Sequence, residues 1–191
     1  MIDYKLLKAC AKNDRKSQFL LYKESYSLLM SIAFRYKSNK EDAEDLVNQG
    51  FHKILKNVGS FVSKEHPIGK FMPWMSRVMI NSTIDAYRKN VKRSNLMSNT
   101  QEIQEHMHAA NYNEIEEQIE AHHLQNMLEN LSEIQRKIFN LFAIDGYGHD
   151  EIAQMLGVPV GTSKWHLSSA RKSLQSMLNE FIKENEKITQ S

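Results

Sequence analysis

The chain has 191 residues, of which 41% are hydrophobic and 25% are charged, with only 7 Gly and 3 Pro. This composition is typical of a globular protein, and the scarcity of helix breakers favours helices over sheet. No apolar run approaches the roughly 18 residues of a transmembrane helix, and the N-terminus lacks a signal-type apolar core, so we expect a cytoplasmic protein. Cys10 is the only cysteine, which excludes an internal disulfide and favours a buried thiol.

The net charge of +2 conceals three unlike pieces. Residues 1–93 hold 18 Lys and Arg against 9 Asp and Glu, whereas residues 94–130 hold 7 acids and no Lys or Arg. Residues 131–191 hold 7 of each sign. A basic piece, an acidic connector and a neutral piece indicate two folded units that meet a polyanion or the machinery that binds one.

Apolar residues at steps of three or four predict three helices in the basic piece, over residues 14–36, 41–58 and 73–90. The second of these helices opens with four acids, which suit the positive end of a helix dipole. Residues 59–70 contain Gly59, Pro67 and Gly69 and predict a loop that is long enough to suggest a function.

The polar segment 94–113 lacks an apolar period and predicts a flexible linker. Helical character rises near Glu114, where four apolar residues predict a fourth helix that packs onto the C-terminal unit. These residues are Ile115, Ile119, Leu124 and Leu128.

The C-terminal piece has the pattern of a helix-turn-helix. A helix over 131–144 begins with Ser132 and Gln135 at the spacing of a capping box. A short helix over 150–156 ends at Gly157, which can take the left-handed conformation of a sharp turn. Pro159 then starts a longer helix that is predicted to run to about Leu178.

The last helix of this pattern carries no acid from Gly161 to Ser176. We expect its inner face to consist of Ser163, Leu167, Ala170 and Leu174. Cations for the DNA backbone and short polar donors for base edges would then face outward, as a helix in the major groove requires. The outward residues are Lys164, Trp165, His166, Ser168, Ser169, Arg171 and Lys172. An ordinary helical hairpin with a basic solvated face remains open, as does burial of Trp165 against the preceding helix.

These residues together resemble the sigma factors of bacterial RNA polymerase, of the small extracytoplasmic-function type in the sigma-70 family. Residues 131–178 look like region 4, through motifs that include Gly146-Tyr147, Glu151-Ile152-Ala153 and Leu156-Gly157. Residues 42–47 with Phe51 and Ile54 look like region 2.2, and the residues Phe71, Trp74, Asn81, Asp85, Arg88 and Lys89 look like regions 2.3 and 2.4.

The resemblance implies an all-α fold of two small helical domains joined by a flexible acidic linker. The expected bounds are 1–93 for region 2, 94–113 for the linker and 114–185 for region 4. It also implies that the protein binds core RNA polymerase, at the β′ clamp helices and the β flap, and directs it to promoter DNA. No active site and no cofactor are expected, and an anti-sigma factor is an expected partner.

The resemblance further implies residue roles. Region 2.2 would contact core polymerase through Asp42, Glu44, Asp45, Leu46, Gln49 and Phe51, although Leu46 and Phe51 could equally be core. The loop 63–71 would capture an unpaired base of the minus-10 element, and the minus-10 contacts would be Phe71, Arg77, Asn81, Arg88 and Lys89. Trp74 could add an aromatic shelf, but core packing suits it better. The outward residues of the last helix would read the minus-35 element.

Two other classes of protein remain as alternatives. A stand-alone helix-turn-helix regulator would need a sensing or receiver domain, and residues 1–93 lack the alternating strands and helices of a receiver. A metal-dependent enzyme or metal sensor is suggested by His106, His108, His122 and His123, but no acid or His at helical spacing completes a ligand shell.

Overall fold

A computed structural model of the chain describes residues 2–37, 39–97 and 126–189, and all the regular structure in these ranges is helical. The chain divides into two compact units, Met1–His108 and Ala109–Ser191. The predicted all-α class is confirmed. Most of the predicted linker, the histidines suggested for metal binding and the predicted helix from Glu114 as far as residue 125 lie outside the described residues, so the three domain bounds stay predictions.

The described residues of the first unit form four helices, α1 (Tyr4–Ala11), α2 (Arg15–Phe34), α3 (Lys40–Ser63) and α4 (Phe71–Met97), with a 3₁₀ turn at Ile68–Lys70 before α4. The sequence did not predict α1. The prediction of a loop over 59–70 was wrong at its start, because α3 continues through Gly59 to Ser63 and buries Phe61. The connection to the 3₁₀ turn is therefore only residues 64–67.

Short polar side chains start the first three helices, each by accepting a hydrogen bond from an otherwise unpaired backbone N–H group of the first turn. The Asp3 carboxylate accepts from Leu6 N at 2.7 Å, that of Asp14 from Ser17 N at 2.8 Å, and the Asn39 amide oxygen from Asp42 N at 2.8 Å. The hydrogen bonds from Ser17 also hold the pKa of Asp14 below its ordinary value.

The core of the first unit forms where α3 packs against α1, α2 and α4. Its fully buried side chains include Leu7, Leu21, Leu29, Ile54, Val58, Phe71, Met75 and Met79. Cys10 is buried as predicted, and burial raises the pKa of its thiol. Gly50 lets α3 and α4 approach closely, because a Cβ atom there would lie 2.3 Å from the sulfur of Met79.

In the second unit, residues 126–129 are helical, and the helices α5 (Glu133–Phe139), α6 (His149–Leu156) and α7 (Val160–Thr189) follow. A π-helical turn, Asn140–Ile144, extends α5. The predicted capping pair is present, since the Ser132 N–H donates to Gln135 Oε1 at 3.1 Å. Both α5 and α6 pack against α7, around a core that includes Ile138, Leu141, Ile152, Leu156, Leu167 and Ala170.

Candidate nucleic-acid interface

A sharp turn after α6 sets the direction of α7. Gly157 has φ +72° and ψ +35°, the left-handed conformation that glycine adopts without penalty. Its N–H donates to Ala153 O at 2.9 Å, and the Val158 N–H donates to the same oxygen at 3.1 Å. The chain then enters α7 after Pro159, whose carbonyl accepts from Ser163 N at 3.1 Å. The predicted helix-turn-helix is therefore formed.

The first half of α7 is fixed along its inner face. Ser163, Leu167 and Ala170 are buried as predicted, and Leu174 is half-buried. The Ser163 hydroxyl lies 3.0 Å from His149 Nδ1, so a hydrogen bond joins the starts of α6 and α7. Because one face is held by both packing and a hydrogen bond, the orientation of the opposite face is determined.

Five of the seven predicted outward residues are exposed, and we call them the α7 cationic face: Lys164, Trp165, Ser168, Arg171 and Lys172. Trp165 is 63% exposed, so it is not buried against the preceding helix. The Arg171 guanidinium lies 5.4 Å from the centre of the Phe142 ring, which stacks at 4.7 Å on the ring of His149. This contact holds the arginine in a defined position at the surface.

The other two predicted outward residues, His166 and Ser169, are half-buried and lie at the edge of this face. The Ser169 hydroxyl accepts a hydrogen bond from Gln135 Nε2 at 2.9 Å, so it links α7 to α5. The Nδ1 atom of His166 is buried without a hydrogen-bond partner, and burial lowers the pKa of the ring. The structure therefore gives both residues packing contacts within the unit.

In the first unit, α4 presents a second polar surface. Arg77, Asn81, Arg88 and Lys89 are all exposed, and the spacing of the first three places them along one side of the helix. We call these four residues the α4 polar face. Asp85 lies in the same stripe, and its carboxylate pairs with Lys53 Nζ of α3 at 2.9 Å. Lys53 was not among the predicted site residues, because nothing in the sequence pairs it with Asp85.

The prediction that Phe71 contacts an unpaired base is not supported by its position. Its side chain is 1% exposed and packs in a cluster with Phe61 and Trp74, at ring-centre distances of 5.2 and 5.4 Å. A ring so enclosed offers no face to a base. Trp74 is half-buried in the same cluster, which agrees with the prediction that core packing suits it better than a contact with DNA.

The start of α3 carries the residues predicted to bind core polymerase. Asp42, Asp45 and Gln49 are exposed, and we call them the α3 acidic face. Glu44 is half-buried, and its carboxylate accepts a hydrogen bond from the Tyr26 hydroxyl at 3.3 Å. Burial of the hydroxyl, together with the charge of Glu44, raises the pKa of Tyr26.

Leu46 and Phe51 are 3% and 8% exposed and belong to the core rather than to a contact surface. Phe51 meets the ring of Tyr22 edge-on at 4.9 Å. Their periodicity placed them on the same helix as the acids but could not place them on the same side. The expectation that they contact polymerase is corrected accordingly.

Residues 2–37, 39–97 and 126–189 contain neither a metal-binding cluster nor a membrane-spanning helix. No group of three or more His, Cys, Asp or Glu side chains there could hold a metal ion. Within the same described ranges, no helix is both long and apolar enough to cross a membrane.

Two compact helical units, one with a helix-turn-helix and one with a polar helix beside an acidic one, define a protein of the DNA-binding transcription class. Sequence comparison is more specific. Residues 21–93 match the Sigma-70 region 2 family, and residues 122–174 match the Sigma-70 region 4 family. The chain belongs to the sigma-70 family of RNA polymerase sigma factors, in its extracytoplasmic-function group.

Similar proteins span nearly the whole chain. RNA polymerase sigma-H factor of Pseudomonas aeruginosa is 22% identical over 95% of this chain and 96% of its own length. The extracytoplasmic-function sigma factor SigW of Bacillus subtilis is 26% identical over 84% of this chain and 87% of its own. A solved structure of the Bartonella quintana sigma factor RpoE with its anti-sigma factor NepR aligns with a TM-score of 0.48 and 24% identity, covering 87% and 97% of the two chains.

Proposed function

We propose that this sigma factor reads the minus-35 element of its promoters with the α7 cationic face. The observation that carries the proposal is the first half of α7 itself. It is the second helix of a helix-turn-helix, one side of it is fixed by Ser163 and Leu167, and its opposite side exposes three cations without an acid. The cations suit phosphates, and Ser168 and Arg171 offer donors to base edges.

The first unit supplies the other two contacts. The α4 polar face meets the minus-10 element, where Arg77, Arg88 and Lys89 neutralise phosphates and Asn81 offers donors and acceptors to bases. Lys53 neutralises Asp85 in the middle of this face and so removes a repulsion between the carboxylate and the DNA backbone. The α3 acidic face binds the β′ clamp helices of core polymerase.

The remaining functional assignments follow from this role. The protein has no active site of its own, because the polymerase performs the chemistry, and it requires no cofactor. It acts in the cytoplasm, where the polymerase and the chromosome meet. An anti-sigma factor that covers one of these surfaces is a further proposed partner.

Reconstituted transcription tests the proposal. Purified chain is mixed with bacterial core polymerase and a library of genomic fragments, and the 5′ ends of the transcripts are mapped. We expect initiation at a restricted set of sites that share two sequence elements. A chain that forms no complex with core polymerase and yields no selective initiation would refute the assignment.

Two variants separate the surfaces in the same assay. Arg171→Gln should reduce selective initiation without loss of core binding, whereas Asp45→Lys should weaken core binding. Specific binding to the same promoters without polymerase, unaffected by Asp45→Lys, would instead favour a stand-alone regulator.

A further inference from the structure

The connection between α3 and α4, residues 64–70, has no buried side chain of its own. We call it the α3–α4 loop. A segment whose side chains all face solvent gains little from burial, so its shape depends on contacts made to it by other parts of the fold. Glu65 adopts φ +49°, a conformation that is unfavourable for residues other than glycine and persists where the surroundings fix it.

Two contacts hold the middle of this loop, and both involve His66. The Tyr4 hydroxyl donates a hydrogen bond to the His66 carbonyl oxygen. The His66 ring lies 5.3 Å from the ring of Phe61, which is itself 2% exposed and packs against Phe71 and Trp74. The aromatic cluster and α1 therefore both hold this loop, and both contact it at His66.

The support from α1 comes from outside the part of the chain that matches the region 2 family, which begins at residue 21. Leu7 and Cys10 of α1 are buried, and the helix packs against both α2 and α3. Tyr4 therefore donates to the loop from a helix that is itself fixed in the core. A hydroxyl on a fixed helix can restrain a backbone carbonyl, whereas a hydroxyl on a mobile terminus cannot.

We infer that Tyr4 is a positioning residue for the capture of an unpaired minus-10 base by the α3–α4 loop. The inference rests on the proposed function, which gives the first unit the minus-10 element, and on the family resemblance, which implies that this loop captures the unpaired base. By bonding to the His66 carbonyl, Tyr4 holds the loop in its capturing shape before DNA arrives. A loop that is already ordered loses less conformational entropy when it binds, so the captured base contributes more to affinity.

The experiment measures base capture directly. Holoenzyme made with the full chain is titrated with fluorescent single-stranded minus-10 oligonucleotides of a promoter mapped by the transcription assay. Each base in turn is replaced by an abasic site, and the ratio of the two affinities reports what that base contributes. For Tyr4→Phe we expect this ratio to fall about three- to tenfold at one position, the loss typical of one hydrogen bond, with abasic affinities unchanged.

Tyr22→Phe is the matched control, because it also removes one hydroxyl of the first unit, whose hydrogen bond to Asn48 Oδ1 is 3.3 Å long. It should leave every ratio unchanged. As an independent measurement, amide hydrogen exchange of the free full chain should accelerate at residues 64–70 in Tyr4→Phe, with α3 and α4 unaffected.

Three results would overturn the inference: an unchanged ratio in Tyr4→Phe, equal losses for intact and abasic oligonucleotides, or unchanged exchange in the loop. A wild-type holoenzyme that distinguishes no base from an abasic site would refute base capture itself. That failure of the proposed function is visible without any variant, so the two failures are distinguishable.

Discussion

Removal of single cations from the α7 cationic face should lower the salt dependence of promoter binding by a calculable amount. Lys164, Arg171 and Lys172 are exposed within about two turns of helix. Each phosphate contact contributes roughly 0.9 to the slope of log affinity against log salt concentration. Raising the salt concentration from 0.1 to 0.2 M lowers the affinity for the promoter by a certain factor. Replacement of one such residue by Gln should make this factor about twofold smaller, and replacement of all three should make it about sixfold smaller.

Lys183→Gln provides the control for this measurement. Lys183 is an exposed cation on the same helix, but it lies roughly 16 Å along the axis from Lys172, beyond the Debye length of about 10 Å at 0.1 M salt. Its replacement should leave the slope nearly unchanged.

The assay is a titration of fluorescently labelled promoter with holoenzyme at four or more salt concentrations. A residue that contacts a base edge behaves differently, since its loss costs about 1–3 kcal/mol on the cognate sequence with a smaller change of slope. If all three variants keep both the affinity and the slope of the wild type, or if Lys183→Gln has an equal effect, the assignment of this face to DNA is wrong.

Three other changes have defined outcomes. Gly157→Val should lower the free energy of unfolding of the second unit, measured by urea denaturation, by about 1–2 kcal/mol, because the positive φ of Gly157 disfavours a side chain. An unchanged free energy of unfolding would contradict the left-handed conformation of this turn. Lys53→Gln should slow promoter opening, measured by 2-aminopurine fluorescence, since Asp85 then faces DNA unpaired, whereas Lys56→Gln should not. The free energy of unfolding should fall as pH drops through about 6.5, because the unfolded chain takes up a proton that half-buried His166 resists. His166→Gln should weaken this dependence.

Periodicity predicted the helices that carry a long apolar face. Residue type predicted the turn at Gly157, because glycine adopts the left-handed conformation without penalty. Periodicity failed where the pattern was short or interrupted. The eight residues of α1 span only about two helical turns, which is too short to establish a period. Gly59 and the two residues that follow looked like the start of a loop, but burial of Val58 and Phe61 keeps them helical.

The candidate surfaces were predicted as sets of residues, and the structure divides each set by exposure. Phe71 and Phe51 are aromatic side chains that serve a core as well as a contact surface, so residue type alone could not assign them. His166 and Ser169 lie near the boundary between the two sides of α7, where a small rotation of the helix decides exposure. Tyr4 contacts His66, which is 62 residues away in the sequence, and Lys53 contacts Asp85, which is 32 residues away. Only the fold reveals contacts between residues so far apart.

The close approach of Gly50 to Met79 has a mechanical consequence. At this crossing the fully buried Met79 side chain of α4 occupies the space that a Cβ atom on Gly50 of α3 would need. Interiors packed this closely resist compression and transmit displacement. A displacement of α3 should therefore be passed on to α4, so the α3 acidic face and the α4 polar face are expected to move together.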